Sequence, residues 1–171
     1  MGTYRLKSSL KSRFNIPLNL AVVVFVFTGA TPALAQEAAL ELDPAQTHVG
    51  FTLGDVLHTV HGVFKLRSGT IKFDPAIGHA SGLVVVDATS GDSDSHGRDH
   101  KMHKEILESA QYPEITFAPE KMRGQITPQG DSQVQVSGIF NIHDTDHPLN
   151  LVVQVHRAGS QLTADTHFAV P

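Results

Sequence analysis

The run Gln133-Val-Gln-Val-Ser-Gly-Ile-Phe-Asn-Ile-His143, followed at once by Pro148-Leu-Asn-Leu-Val-Val-Gln-Val-His156, decides the fold. In the first segment Val134, Val136, Phe140 and Ile142 share one face, and Gln133, Gln135, Ser137 and Asn141 share the other. In the second, Leu149, Leu151, Val153 and Val155 oppose Asn150, Gln154 and His156. A period of two places successive side chains on opposite faces of a strand, so both segments are strands with one dry side. Working outward, the same alternation predicts strands over 48–54, 58–67, 69–74, 81–90, 114–123, 133–143, 148–156 and 161–170. Short turns rich in Gly, Pro and Asp separate them, among them Asp74-Pro-Ala-Ile-Gly78 and Ala158-Gly-Ser160. Short connections pair sequential strands, which makes this an all-β antiparallel meander forming a barrel or sandwich.

One segment departs from the alternation. Asp99 to Ala110, DHKMHKEILESA, is rich in helix formers, places Met102, Ile106 and Ser109/Ala110 along one face, and is stopped by Pro113. The expectation is one short α-helix near 99–110, capped by Asp99 and laid over an open barrel end, where its apolar stripe finds cover.

The first 35 residues are a different material. Arg5, Lys7, Lys11 and Arg13 form a basic start, Leu20 to Phe27 an apolar run, and Ala33-Leu-Ala35 a small-x-small site, the layout of a signal peptide cut before Gln36. The run is shorter than the roughly 20 apolar residues that span a bilayer. The reading is therefore a leader over 1–35, a single domain over 36–171, periplasmic location and no integral membrane segment after cleavage. Removing four basic residues leaves nine Lys+Arg against 17 Asp+Glu, a net charge of −8, the wrong sign for a nucleic-acid partner. With no cysteine in 171 residues, disulfides, thiolate metal sites and Cys nucleophiles are excluded.

Catalytic signatures such as GxSxG, HExxH, GxGxxG or a P-loop do not occur, so no enzyme is expected and no cofactor is implied. His96, His100 and His103, grouped in SHGRDHKMH with His100 and His103 one helical turn apart, supply an alternative: a periplasmic metal-binding protein. His58 and His61 project from opposite faces of a regular strand and cannot chelate together. The remaining candidate is the interior itself. Phe51, Phe64, Phe73, Phe117, Phe140 and Phe168 recur about once per strand, and an eight-stranded barrel is just wide enough to be filled by side chains or to hold one small ligand. Leu83 to Val86 followed by Asp87 to Ser90 describes an interior that begins apolar and ends polar, suited to an elongated amphiphile.

Several phrases together resemble the YceI-like lipid- or polyisoprenoid-binding family: LDPAQTHVGF (42–51), VHGVF (60–64), SGTIKFDP (68–75), Arg98-Asp99 before Met102-His103 and Glu105-Ile-Leu-Glu-Ser109, YPEITF (112–117), and SGIFNIH (137–143) with His147-Pro-Leu149. The resemblance covers nearly all of 36–171. It implies a lipocalin-like β-barrel that binds an isoprenoid or fatty-acyl lipid without a catalytic centre, for carriage, storage or sensing. The lining residues would be Phe51, Phe64, Phe73, Val85, Ile115, Phe117, Phe140 and Phe168, with Arg98 beside a helix where it either fixes the loop or meets a head group.

The sequence departs from the family pattern at three places. Asp55 stands where a His is usual, Asp144-Thr145-Asp146 replaces a Gly-containing turn, and the family's closing segment would follow Thr166-His-Phe-Ala-Val-Pro171. The expectation is an unclosed barrel with exposed strand edges at 161–170 and a tendency to form a homodimer through them.

Overall fold

The computed structural model describes residues 2–11 as a strand, together with 38–54 and 59–170. The apolar run and cleavage site of the leader, and both Asp55 and His58, lie outside the described residues. In chain order the strands are β1 (Gly2–Lys11), β2 (Ala38–Glu41), β3 (His48–Gly54), β4 (Thr59–Asp74), β5 (His79–Asp92), β6 (Glu114–Arg123), β7 (Gly130–Ile142), β8 (Thr145–Ala158) and β9 (Gln161–Val170). Every pairing is antiparallel, and β3 to β9 form the expected meander. Because β4 also pairs with β5, the sheet curls into a ring of eight strands with β2 laid along the far half of β4.

β1 completes the ring, which the sequence did not foretell. It pairs with β9 from Gly2↔Val170 to Lys11↔Gln161 and with β3 from Gly2↔Leu53 to Lys7↔His48. The edge expected to stay open at 161–170 is thus covered by the stretch whose basic residues read as a leader.

The two strands expected at 58–67 and 69–74 are one. Register against β5 slips between Val63 and Lys65 and again between Leu66 and Ser68, so Arg67-Ser-Gly69 is an irregularity inside β4 rather than a turn. Ser90 Oγ accepts the displaced Lys65 amide at 2.8 Å, and a side chain on Gly69 would strike Leu42. The hydrogen bond and the absence of a side chain at Gly69 let the strand bend without leaving the sheet.

The helical insertion also differs in detail. An α-helix, α1, spans His96–Lys101 with Ser95 at its N-cap, and a π-helical turn follows over Met102–Ile106. Asp99 therefore sits inside the helix, its amide donating to the Ser95 carbonyl at 2.9 Å. The π turn, closed by Leu107 N to Met102 O at 2.8 Å, spaces the inward residues five apart. Met102 and Leu107 are consequently buried, whereas Ile106, placed on the inner stripe by a 3.6-residue period, is 60% exposed.

Candidate functional site

Antiparallel strands give the barrel two distinct ends. One carries the end of β9, the end of β7, the start of β6 and the helical insertion; here Phe51, Phe64, Phe140 and Phe168 meet. The Phe51 and Phe64 rings lie 5.0 Å apart at a 40° tilt, and Phe140 meets Phe168 edge-on at 5.4 Å, a geometry that aromatic quadrupoles favour. Met102 and Leu107 belong to the same core and close this end from above. Only about 30 Å³ remains unfilled among Val49, Phe64, Val86, Ile115, Phe140, Phe168 and their neighbours.

The other half is hollow. A chamber of about 130 Å³ lies among Leu40, Leu42, Ile71, Phe73, Met122, Val134, Val136, Val153, Val155, Leu162 and Ala164, apolar on nearly every side. Val84, Phe117 and Leu151 border both this chamber and the filled half, forming a waist between them. Leu40, Phe73, Met122, Ile126 and Leu162 also border a wider recess of about 360 Å³, whose rim brings Gln125, Arg157 and Ser160 into reach. Arg157 Nε donates to the Gly159 carbonyl at 3.3 Å, which sets its guanidinium beside the β8–β9 turn. The arrangement is an apolar chamber with a wet, partly cationic mouth at the end away from the helix.

The residues singled out from sequence fall into three places. Phe73 and Phe117 line the chamber, Phe73 at its mouth and Phe117 at the waist. Phe51, Phe64, Ile115, Phe140 and Phe168 build the filled half. Val85 is buried but lies outside the interior core that contains Val84 and Val86, since alternation turns it to the opposite face of β5. Arg98 is spent locally: Nε donates to Ser93 Oγ at 2.8 Å and Nη2 to the Ser93 carbonyl at 3.1 Å, far from the mouth in chain and fold. Asp99 accepts from the same Ser93, from its amide at 3.0 Å and from its hydroxyl at 2.6 Å. The Ser93 hydroxyl in particular holds the Asp99 carboxyl below its usual value of 3.8.

The histidine cluster does not assemble. His96 and His100 are exposed, while His103 engages both ring nitrogens, Nδ1 with Ser109 Oγ at 3.0 Å and Nε2 with the Gly91 carbonyl at 2.9 Å. Among the described residues no three His, Asp or Glu side chains converge on a point that a metal ion would occupy. The alternative of a metal centre at His96, His100 and His103 is therefore corrected. Their closeness in sequence reflects a helical turn whose third histidine is a structural brace.

The mouth itself was missed, because the strands expected from sequence begin at residue 48 and leave Ala38–Glu41 unassigned. The alternation Leu40-Glu41-Leu42 was the available signal: Leu40 and Leu42 both line the chamber, and β2 pairs Leu40 with Ile71. No helix among the described residues is long and apolar enough to cross a membrane.

Comparison with known proteins agrees with this architecture. Residues 40–170 match the YceI-like domain. A UPF0312 protein of Pseudomonas savastanoi pv. phaseolicola and another of Pseudomonas syringae pv. syringae are each 28% identical over 123 residues, covering 70% of this chain and 62% of theirs. The chain thus spans somewhat under two thirds of the length of those curated relatives. Among solved structures, BcnA of Burkholderia cenocepacia superposes with a TM-score of 0.55 at 16% identity, covering 73% of this chain and 96% of BcnA. A polyisoprenoid binding domain from Saccharophagus degradans, implicated in plant cell wall breakdown, does so with a TM-score of 0.51 at 14% identity, covering 71% and 92%. At such identities the structures speak to the fold. The family match over most of the chain, on an eight-stranded antiparallel barrel with one helical insertion, makes this protein a member of the YceI-like domain family.

Proposed function

We propose that the chain binds a long-chain amphiphile, an isoprenoid or fatty-acyl lipid, with its tail in the hollow half and its polar end at the mouth. The observation that carries this reading is the uninterrupted run from the apolar chamber to a recess rimmed by Gln125, Arg157 and Ser160. Each methylene moved from water into the chamber contributes about 0.8 kcal/mol, so a modest length of tail outweighs the entropy of holding it. The polyisoprenoid binding named for the Saccharophagus domain supports the ligand class. The action is binding rather than catalysis, for carriage, storage or sensing. The basic and apolar stretches of residues 1–35 support export to the periplasm, and an exported form beginning at Gln36 is the expected product.

The test is uptake of a fluorescent polyprenyl or acyl probe by wild type and by Ala164→Phe, which pushes a ring into the chamber from a half-buried position on β9. Binding by the wild type and its loss in a variant with native circular dichroism is the expected result. Equal binding by both, or no lipid adduct by native mass spectrometry of protein purified from membranes, overturns the reading.

A further inference from the structure

The turn from β4 to β5 reads Asp74-Pro-Ala-Ile-Gly-His79, and Ile77 at its tip, 76% exposed, is the most open large hydrophobic side chain among the described residues. The turn is built to hold it there. Asp74 Oδ1 accepts from the Ala76 amide at 2.9 Å, and the Asp74 carbonyl accepts from the Gly78 amide at 2.9 Å, so the one carboxylate of the turn is engaged within it. Gly78, at φ +69°, makes the reversal, and its carbonyl accepts from the Met122 amide at 2.9 Å, which ties the tip to β6.

A single exposed isoleucine on a barrel wall needs no explanation; this one takes its meaning from its place. Pro75, in the same turn and exposed, lines the recess together with Ala38, Phe73 and Ile126, and Phe73 and Ile126 also line the chamber. Apolar side chains thus lead from the tip of the turn to the mouth and inward. Each methylene left in water opposes free diffusion of an amphiphile, so a ligand of the class proposed above resides in bilayers, and the mouth must meet one. A narrow tip with one large side chain covers far less than the roughly 800 Å² per partner of a specific protein interface, whereas the fluid boundary between head groups and acyl chains needs no complementary shape. Charges at this end are mixed, Lys121 and Arg123 with Glu120 and Asp131, which leaves apolar insertion as the attraction.

We propose that the mouth is a bilayer-docking surface: the Pro75–Ile77 tip enters the interface between head groups and acyl chains, and the amphiphile passes between bilayer and chamber along that edge. Passage of the ligand rests on the lipid-binding reading; insertion of the tip is measured without any ligand.

The chain contains no tryptophan, so Ile77→Trp places a sole reporter at the tip. In the full chain its emission is expected to shift to the blue with phosphatidylcholine–phosphatidylglycerol vesicles and to be quenched by brominated acyl chains. Ile106→Trp, at the helix end where Ile106 is 60% exposed, should show neither, which controls for tethering by the apolar run Leu20 to Phe27. Transfer of a fluorescent acyl probe from vesicles to the wild type should quicken as vesicle concentration rises. Ile77→Glu should slow that transfer about tenfold or more while leaving the equilibrium affinity for a water-soluble short-chain probe within about twofold. Docking is overturned by no shift at Ile77→Trp, by equal shifts at both positions, or by a shift that grows with protein concentration in the absence of vesicles, as contact with a second copy would give. Transfer at a rate independent of vesicle concentration and of Ile77→Glu overturns it as well. Insertion of the tip in a chain that binds no probe supports docking and overturns the lipid-binding reading alone.

Discussion

His103 Nε2 lies 2.9 Å from the carbonyl oxygen of Gly91, tying the helical insertion to the strand it leaves. A carbonyl only accepts, so Nε2 carries the hydrogen, while Nδ1 meets the Ser109 hydroxyl 3.0 Å away. One imidazole thus joins the end of β5 to both ends of the helical turn. Gly91 is the point of closest approach: a Cβ there would lie 2.6 Å from both Met102 Cε and a Phe64 ring carbon.

Gly91→Ala is therefore expected to destabilise the fold by about 1–3 kcal/mol, the usual range for overpacking a filled core. Urea denaturation checks this. An unchanged midpoint would mean that the insertion rides on the barrel rather than packing into it.

Asp99 supplies a pH signature. Its carboxyl is held below 3.8 in the folded protein, chiefly by the Ser93 hydroxyl, so the unfolded chain binds more protons in the window just beneath that value. The stabilisation is complete above the ordinary carboxylate range and is lost as pH falls through the depressed folded value. Asp99→Asn should melt below wild type at pH 7, and the difference should shrink in thermal melts taken progressively below pH 4. A difference independent of pH would assign the effect to geometry rather than charge.

What the sequence disclosed follows the range of its signals. The bounds of β3, β6 and β9 coincide with the alternation read from 48–54, 114–123 and 161–170, because each has one wet face and definite turn chemistry at its ends. The break at Arg67-Ser-Gly69 misled, since a bulge and a turn use the same small residues and differ only in whether a distant partner, here β5, keeps the ladder going. The π turn was invisible because one inserted residue leaves composition untouched while rotating the buried face from Ile106 to Leu107. The Phe residues were legible as interior. Which of them fill one end and which border a chamber depends on volumes that alternation does not encode.

The β7–β8 hairpin offers a stabilising change. Ile142 pairs with Thr145 across the two residues His143 and Asp144, whose φ values are +53° and +54°. A two-residue loop with both residues left-handed matches the twist of the flanking strands, but the favoured residues are Asn and Gly. His143 is retained by its bond from Nε2 to Glu108 at 2.7 Å and by the Tyr112 ring 4.3 Å away. Asp144 is exposed, and glycine adopts this left-handed conformation without the strain of a Cβ, so Asp144→Gly should raise stability by about 0.5–1 kcal/mol. A lower melting temperature would show that the carboxylate contributes more than the backbone strain removes.

Two phenylalanines separate packing from binding. Phe51, 4% exposed and tilted against the Phe64 ring, belongs to the filled end; its replacement by Ala should cost about 3–5 kcal/mol. Phe73 borders both chamber and mouth. Phe73→Ala is expected to cost less stability and to change probe affinity more, read by denaturation and fluorescence titration on the same preparations. The opposite ranking would move the binding site to the helix end.

The last test distinguishes the polar end of the ligand from its tail. Arg157 is half-buried at the rim of the recess, at the end of β8, on the route any amphiphile follows into the chamber. A guanidinium there attracts a carboxylate or phosphate through charge-assisted hydrogen bonds and has no comparable hold on a neutral alcohol. Arg157→Gln keeps a polar side chain of similar length but removes the charge, so it should weaken binding of a fatty acid or prenyl phosphate roughly tenfold, about 1.4 kcal/mol, while leaving the corresponding alcohol within about twofold. Raising the salt concentration should narrow the difference, because a charge at a wet rim is screened over about 10 Å at 0.1 M. Equal losses for charged and neutral heads would mean that Arg157 shapes the mouth without reading the ligand, and no loss for either would place the polar end elsewhere along the 124–126 rim.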